Sequence, residues 1–158
     1  MTILDASPAV RRAILREERL SWGRWLDSPK LDHITPSLAR LLEDFHFVAR
    51  DGYVWTADKG MVFDGTSIPS LLWTAFRESP FTGHASWAAV IHDAGCKGIV
   101  RVEGERRAEA GFRDPLVHAR FYDAIRASGG SAVKAWAFYR GVWTYGMVRG
   151  GRSVAPVA

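Results

Sequence analysis

The chain has 158 residues, 47% hydrophobic and 24% charged, with a formal net charge of +4; this composition suits one ordinary domain and excludes a disordered or fibrous protein. The single cysteine, Cys96, excludes an internal disulfide and with it a disulfide-stapled scaffold. The first residues lack the basic and apolar run of a signal peptide, and no stretch approaches about 18 uninterrupted apolar residues, so no transmembrane segment is expected.

Ser7-Pro8 opens the first predicted helix, with serine as N-cap and proline in the first turn. Val10, Ile14 and Leu20 give it a modest apolar stripe among Arg11, Arg12, Arg16, Glu17, Glu18 and Arg19, and Trp22 and Trp25 follow before the break at Ser28-Pro29. Residues 1–30 read as a charged N-terminal helix extension that docks by one edge on the domain or on a partner. Residues 31–148 read as a single globular domain, and residues 149–158 as a flexible or partner-ordered tail.

Within the domain, Asp51-Gly52 separates Phe45-His46-Phe47-Val48 from Tyr53-Val54-Trp55-Thr56 in a hairpin pattern, and Lys59-Gly60 turns into Met61-Val62-Phe63. From Pro69 onward the pattern is helical. Residues 69–76 suit a short helix, which Thr66 or Ser67 can cap. Residues 82–96 suit a longer one capped by Thr82, and residues 98–104 a loop or short strand. Pro115 opens a helix through Val117, Phe121, Ala124 and Ile125. Ser131 caps the last helix, in which Ala132, Trp136, Tyr139, Trp143 and Met147 recur at core-packing spacing. The expected architecture is α+β and mainly helical: a small antiparallel sheet followed by a core of two or three packed helices. Seven tryptophans predict a large aromatic core.

Charge is unevenly spread. After Asp123 no acidic residue occurs, while Arg126, Lys134, Arg140, Arg149 and Arg152 remain. Residues 31–95 carry eight acids against four bases. A basic end of this kind suits nucleic acid, anionic lipid or an acidic protein partner, or is a solvated helix face with a tail. Nucleic-acid binding is the weaker reading, because the aromatics near the basic end recur at core spacing and do not interleave with the charges.

Two features carry chemistry. Asp64-Gly65-Thr66-Ser67-Ile68-Pro69 lies between the sheet and the first core helix, where a loop carboxylate can enter a cleft or simply close a turn. His92-Asp93 ends an apolar helical run, where an imidazole and a carboxylate are costly unless paired, hydrated or bound to metal. Neighbouring helix positions point about 100° apart, so Asp93 would face a cation and His92 a water or substrate proton. Cys96 shares the face of His92, a spacing compatible with a transition-metal pair, although a lone cysteine there is more often a small apolar residue. Asp114, His118 and Asp123 are the candidates for orienting His92.

These residues resemble a phage-associated family of unknown function with the pattern G-F-x-T-D-G-A-S-x-P, then H-D-x-L-Y, then two further helices. The matching stretches are residues 60–69, His92-Asp93, residues 121–125 and residues 139–146. Phe63 stands in place of the usual threonine, Ala94-Gly95-Cys96 in place of x-L-Y, and His118 where the helix aspartate is expected. The order of parts is similar, more distantly, to secreted calcium-dependent phospholipases of the His-Asp type. That resemblance implies Asp64 and Asp93 as ligands of calcium, with His92 activating water; His118, at the place of the phage-family aspartate, is the second catalytic candidate.

Two functions follow. One is a phage or prophage hydrolase-like protein acting, with metal assistance, on an ester of a lipid or of the cell envelope. The other is a structural virion component of a tail, baseplate or neck, in which the same residues form a buried polar network. Either would be made in the cytoplasm of the bacterial host, and the second would be carried in the virion with other virion proteins as partners.

Overall fold

The computed structural model describes residues 2–65, 67–107 and 111–149. Its first helix, α1 (Pro8–Glu17), begins as the sequence dictates: Ser7 Oγ accepts from the Val10 amide. The chain then forms strands β1 (Gly23–Trp25), β2 (Leu31–Thr35), β3 (Leu38–Leu41), β4 (Phe45–Ala49), β5 (Val54–Ala57) and β6 (Val62–Phe63). Helices α2 (Ser70–Phe76) and α3 (Ser86–Cys96), the short strands β7 (Arg101–Val102) and β8 (Glu105–Arg106), and helices α4 (Pro115–Ala127) and α5 (Ala132–Arg149) complete it.

The expectation of a mainly helical domain with one small sheet is overturned. The described strands form two antiparallel sheets, one ordered β1-β4-β5-β7-β8 and one ordered β2-β3-β6. Two causes explain the difference. The β2–β3 hairpin is largely solvent-exposed along β2, so it lacks the apolar alternation by which a half-buried strand is read. β6, expected to continue the β4–β5 meander, instead leaves it: Leu41 and Met61 join β3 to the β6 segment, the Leu41 amide donating to the Met61 carbonyl at 2.9 Å.

The larger sheet is covered on both faces, which is why β5 is buried at every position. Phe45, Phe47, Trp55 and Ala57 face the main core with α3 and α4. Val48 and Val54, paired in register, face the other way against Leu15 of α1, with Leu20 and Leu26 at the edge. The N-terminal helix is thus the outer layer of a three-layer stack. It is also held by Arg11, 2% exposed, whose guanidinium donates to the carbonyls of Ile3, Leu4 and Gly52 and to Glu103. Strand β1, within residues 1–30, pairs with β4.

The helices run close to their expected bounds, with three corrections. Thr82 does not cap α3; it pairs with Ser79 in the preceding turn. Ser67 does not cap α2, whose N-cap is Pro69 without a side-chain hydrogen bond; Thr66 lies outside the described residues. On α5 the buried face is Ala135, Phe138 and Val142, while Trp136 is 59% and Met147 51% exposed. The helix carries aromatics on every side, so period alone did not fix which face turns inward. The tail expected over residues 149–158 lies outside the described residues beyond Arg149.

Among the described residues no helix is long and apolar enough to cross a membrane. Helices α3 and α4 pack closely at Gly95, where a Cβ would stand 2.6 Å from Val117 Cγ1 of α4. Gly95→Ala is expected to destabilise the fold by about 1–3 kcal/mol through overpacking, read as a lower urea midpoint at unchanged m-value; an unshifted midpoint would show that α3 and α4 separate freely.

Candidate functional site

Ten of the eleven residues of α3 are buried, so His92 and Asp93, each 1% exposed, need partners inside the protein. His92 lies one turn before Gly95, and the close approach of α4 brings it to His118. Its Nε2 is 3.0 Å from His118 Nδ1, and His118 Nε2 is 2.8 Å from the Phe112 carbonyl oxygen. Burial holds both rings below the ordinary histidine pKa, with the His118 charge a further cause at His92, so both are neutral near pH 7.

That geometry determines the tautomers. A carbonyl can only accept, so neutral His118 donates from Nε2 and accepts at Nδ1, and His92 donates to it from Nε2. His92 Nδ1 is left as an acceptor, facing Ser67 Oγ at 3.3 Å. Ser67 Oγ is hydrogen-bonded to Asp93 Oδ1 as well. Phe112 is itself hemmed in by α5, since a Cβ on Gly146 would stand 2.1 Å from its carbonyl oxygen.

Asp93 has two states in this setting. Burial raises its pKa, opposed by the Ser67 hydrogen bond and the Lys97 charge and reinforced by the Asp64 charge. Protonated, Asp93 donates to Ser67, whose hydroxyl donates to His92 Nδ1, and one unbroken run of donors crosses from the loop to the Phe112 carbonyl. Ionised, it accepts the Ser67 hydroxyl's hydrogen bond and leaves His92 Nδ1 to the Cys96 sulfur, 3.8 Å away. Cys96 remains a thiol, because burial pushes its pKa far up. Asp93 Oδ2 is buried without a hydrogen-bond partner among the described residues; Lys97 Nζ is 3.9 Å from it.

The structure therefore brings together His92, Asp93 and His118, and Asp64 is near enough for its charge to act on Asp93. Of the three candidates for orienting His92, His118 is the one that reaches it. Asp114 caps α4, accepting from the Leu116 amide at 2.9 Å, and pairs with Arg107. Asp123 pairs with Arg120 at 2.8 Å and Arg50 at 3.2 Å. Ser67 is the member of the network that sequence reasoning cast in another role. Its signal was weak: a small hydroxyl two residues before a helix-opening proline reads as a cap.

No group of three or more His, Cys, Asp and Glu side chains is clustered as a metal site among the described residues. Surface cavities of about 270 to 480 Å³ are lined by residues other than Ser67, His92, Asp93 and His118. The network is a core feature.

A family model described as a protein of unknown function, DUF1353, matches residues 39–142. The chain belongs to the DUF1353 family. The matched stretch holds the whole network, from Asp64 to His118, and leaves α1, β1 and β2 outside. Among curated proteins the chain is similar to the uncharacterized protein y4iH of Sinorhizobium fredii (strain NBRC 101917 / NGR234), at 36% identity over 106 residues. Those residues are 67% of this chain and 39% of the relative, so the chain spans about two fifths of that protein's length. No solved structure matches.

The lowered histidine pKa values set the pH response. The unfolded chain takes protons near pH 6.5, which the folded pair refuses until lower pH, so the pair's stability is complete above that value and drains as pH falls below it. Asp93 acts oppositely, favouring the fold at low pH and losing that contribution as pH rises through its raised pKa. The melting temperature is expected to fall from pH 7 to pH 5. His118→Asn, which keeps an acceptor near Nδ1 but does not titrate, should cost about 1–2 kcal/mol at pH 7 and flatten that limb. An equally steep limb in the variant would assign the proton uptake elsewhere.

Proposed function

We propose that this protein is a non-catalytic structural component of an assembly, with a phage or prophage particle as the setting implied by its motif resemblance. In this reading Ser67, His92, Asp93 and His118 are a polar clasp that fixes the loop after β6 on α3 and α4. One observation carries it: both nitrogens of His92 and of His118 have partners inside the protein, and both rings are at most 2% exposed. A general base needs a lone pair that water or substrate can reach, and this arrangement offers none without first breaking the clasp.

Mass spectrometry of particles purified from a strain carrying the gene is expected to recover the chain at fixed stoichiometry, and its absence from the particles rejects the virion assignment. Ser67→Ala is expected to cost about 1–3 kcal/mol of stability, because it strips a partner from two buried groups.

A second reading, a calcium-assisted ester hydrolase, is favoured by the unpartnered Asp93 Oδ2 with Asp64 beside it. Asp64 and Asp93 would hold the cation, which would supply positive charge to polarise an ester carbonyl. His92 would have to exchange its Ser67 contact for water. This reading expects a higher melting temperature in millimolar calcium and ester hydrolysis that His92→Ala abolishes. Unchanged melting together with no cleavage of lipid or cell-wall esters leaves the structural reading standing.

A further inference from the structure

Two neighbouring cavities away from the His92 network form one composite surface. The first, of about 380 Å³, is lined by Arg12, Arg16 and Arg19 at the end of α1 and by Arg50 after β4. Among the described residues no carboxylate lines it, and Glu18, beside Arg19 in the chain, is engaged by Arg24 at 2.8 Å. The helix end contributes little opposing negative charge, because the carbonyls of Ile14, Leu15 and Arg16 accept from Glu18, Leu20 and Arg19. Arg19 sits in the left-handed region at φ +58°, a conformation that costs a non-glycine residue of order 1 kcal/mol and that this chain keeps where it adds a guanidinium to the cavity.

The second cavity, of about 370 Å³, shares Arg50 with the first and is walled by Trp22, Tyr122, Trp136 and Tyr139. Ala119 leaves room between the rings. Trp136 is 59% exposed, while Arg126 lies over Trp22 at 5.0 Å. The Asp123 carboxylate lines the same cavity. Its Oδ2 is held by Arg120 and Arg50, whereas Oδ1 is buried with no hydrogen-bond partner among the described residues.

We propose that this composite surface binds single-stranded nucleic acid, with backbone phosphates in the arginine cavity and one base in the aromatic cavity. Arginines that track a backbone beside aromatic platforms are the usual means of holding single strands. Asp123 Oδ1 adds an acceptor for a base edge bearing an N–H group. The surface differs from the basic C-terminal end considered in the sequence. It is built by α1, the β4 turn and the outer face of α4 and α5, and its exposed tryptophan is one that helical period had assigned to the core. The proposal is independent of the structural or hydrolytic reading of His92.

Fluorescence anisotropy with a labelled 12-nucleotide single strand tests it. Binding is expected in 50 mM salt, weakening as salt rises with a logarithmic slope of roughly −2 to −3 for three or four phosphate contacts. Trp136→Ala, a change at an exposed position, is expected to weaken binding roughly tenfold without altering that slope. Arg12→Ala with Arg16→Ala should reduce the slope by about one or more. No binding in 50 mM salt overturns the proposal. So does equal affinity for duplex or heparin with Trp136→Ala inert, which would mark a general polyanion surface. A mononucleotide bound as tightly as the 12-mer overturns the strand reading in favour of a single-nucleotide pocket.

Discussion

A helix buried at ten of its eleven residues can hold polar side chains when their atoms meet complementary ones, and α3 holds His92 and Asp93 in succession, with Asp93 Oδ2 the one of their side-chain polar atoms left without a hydrogen-bond partner among the described residues. The rest of the domain is arranged to meet that demand. Gly95 lets α4 come close enough for His118 to face His92, Gly146 lets α5 close behind Phe112 so that its carbonyl faces His118, and the loop after β6 turns Ser67 inward. Because the chain of donors ends on a backbone carbonyl, its direction is set at that end and propagates back through both rings. Remove the carbonyl's fixed role and neither tautomer is determined.

The same demand is met differently elsewhere. Asp123 and Arg120 on α4, with Arg50 and Asp51 from the β4 turn, pair opposite charges beside the aromatic cavity. There ion pairs hold the arrangement and Arg50 reaches solvent, so this cluster contrasts with the one around His92. The His92 cluster is closed and directional. The Asp123 cluster is built of ion pairs and partly open, and each leaves one carboxylate oxygen without a hydrogen-bond partner among the described residues. Closure favours a structural role for the first, and openness makes the second the place to look for a ligand.

Much of this was legible in the residues. The Ser7 cap, the turn at Asp51-Gly52 and the start of α4 at Pro115 depend on local chemistry, and local chemistry is what a sequence displays directly. His92-Asp93 announced itself because two polar groups in an apolar run require an explanation. The partner of Ser67 and the choice among Asp114, His118 and Asp123 were not legible, since they depend on which helix faces which. The second sheet was hidden for a related reason: β2 is exposed and carries no alternation, and β6 has its partner in β3, more than twenty residues earlier in the chain. Along α5, aromatic residues on all sides made the inner and outer faces look alike.

The docking of α1 bears on what counts as a unit of this fold. Val48 and Val54 belong to the stretch that matches the DUF1353 family, yet the residue that shields them, Leu15, lies outside it, as does Arg11, whose guanidinium joins Ile3 and Leu4 to Gly52 and Glu103. The shared stretch therefore exposes an apolar sheet face that it cannot cover by itself. In this chain the stretch that carries the recognisable pattern and the body that buries these two valines are different lengths of chain.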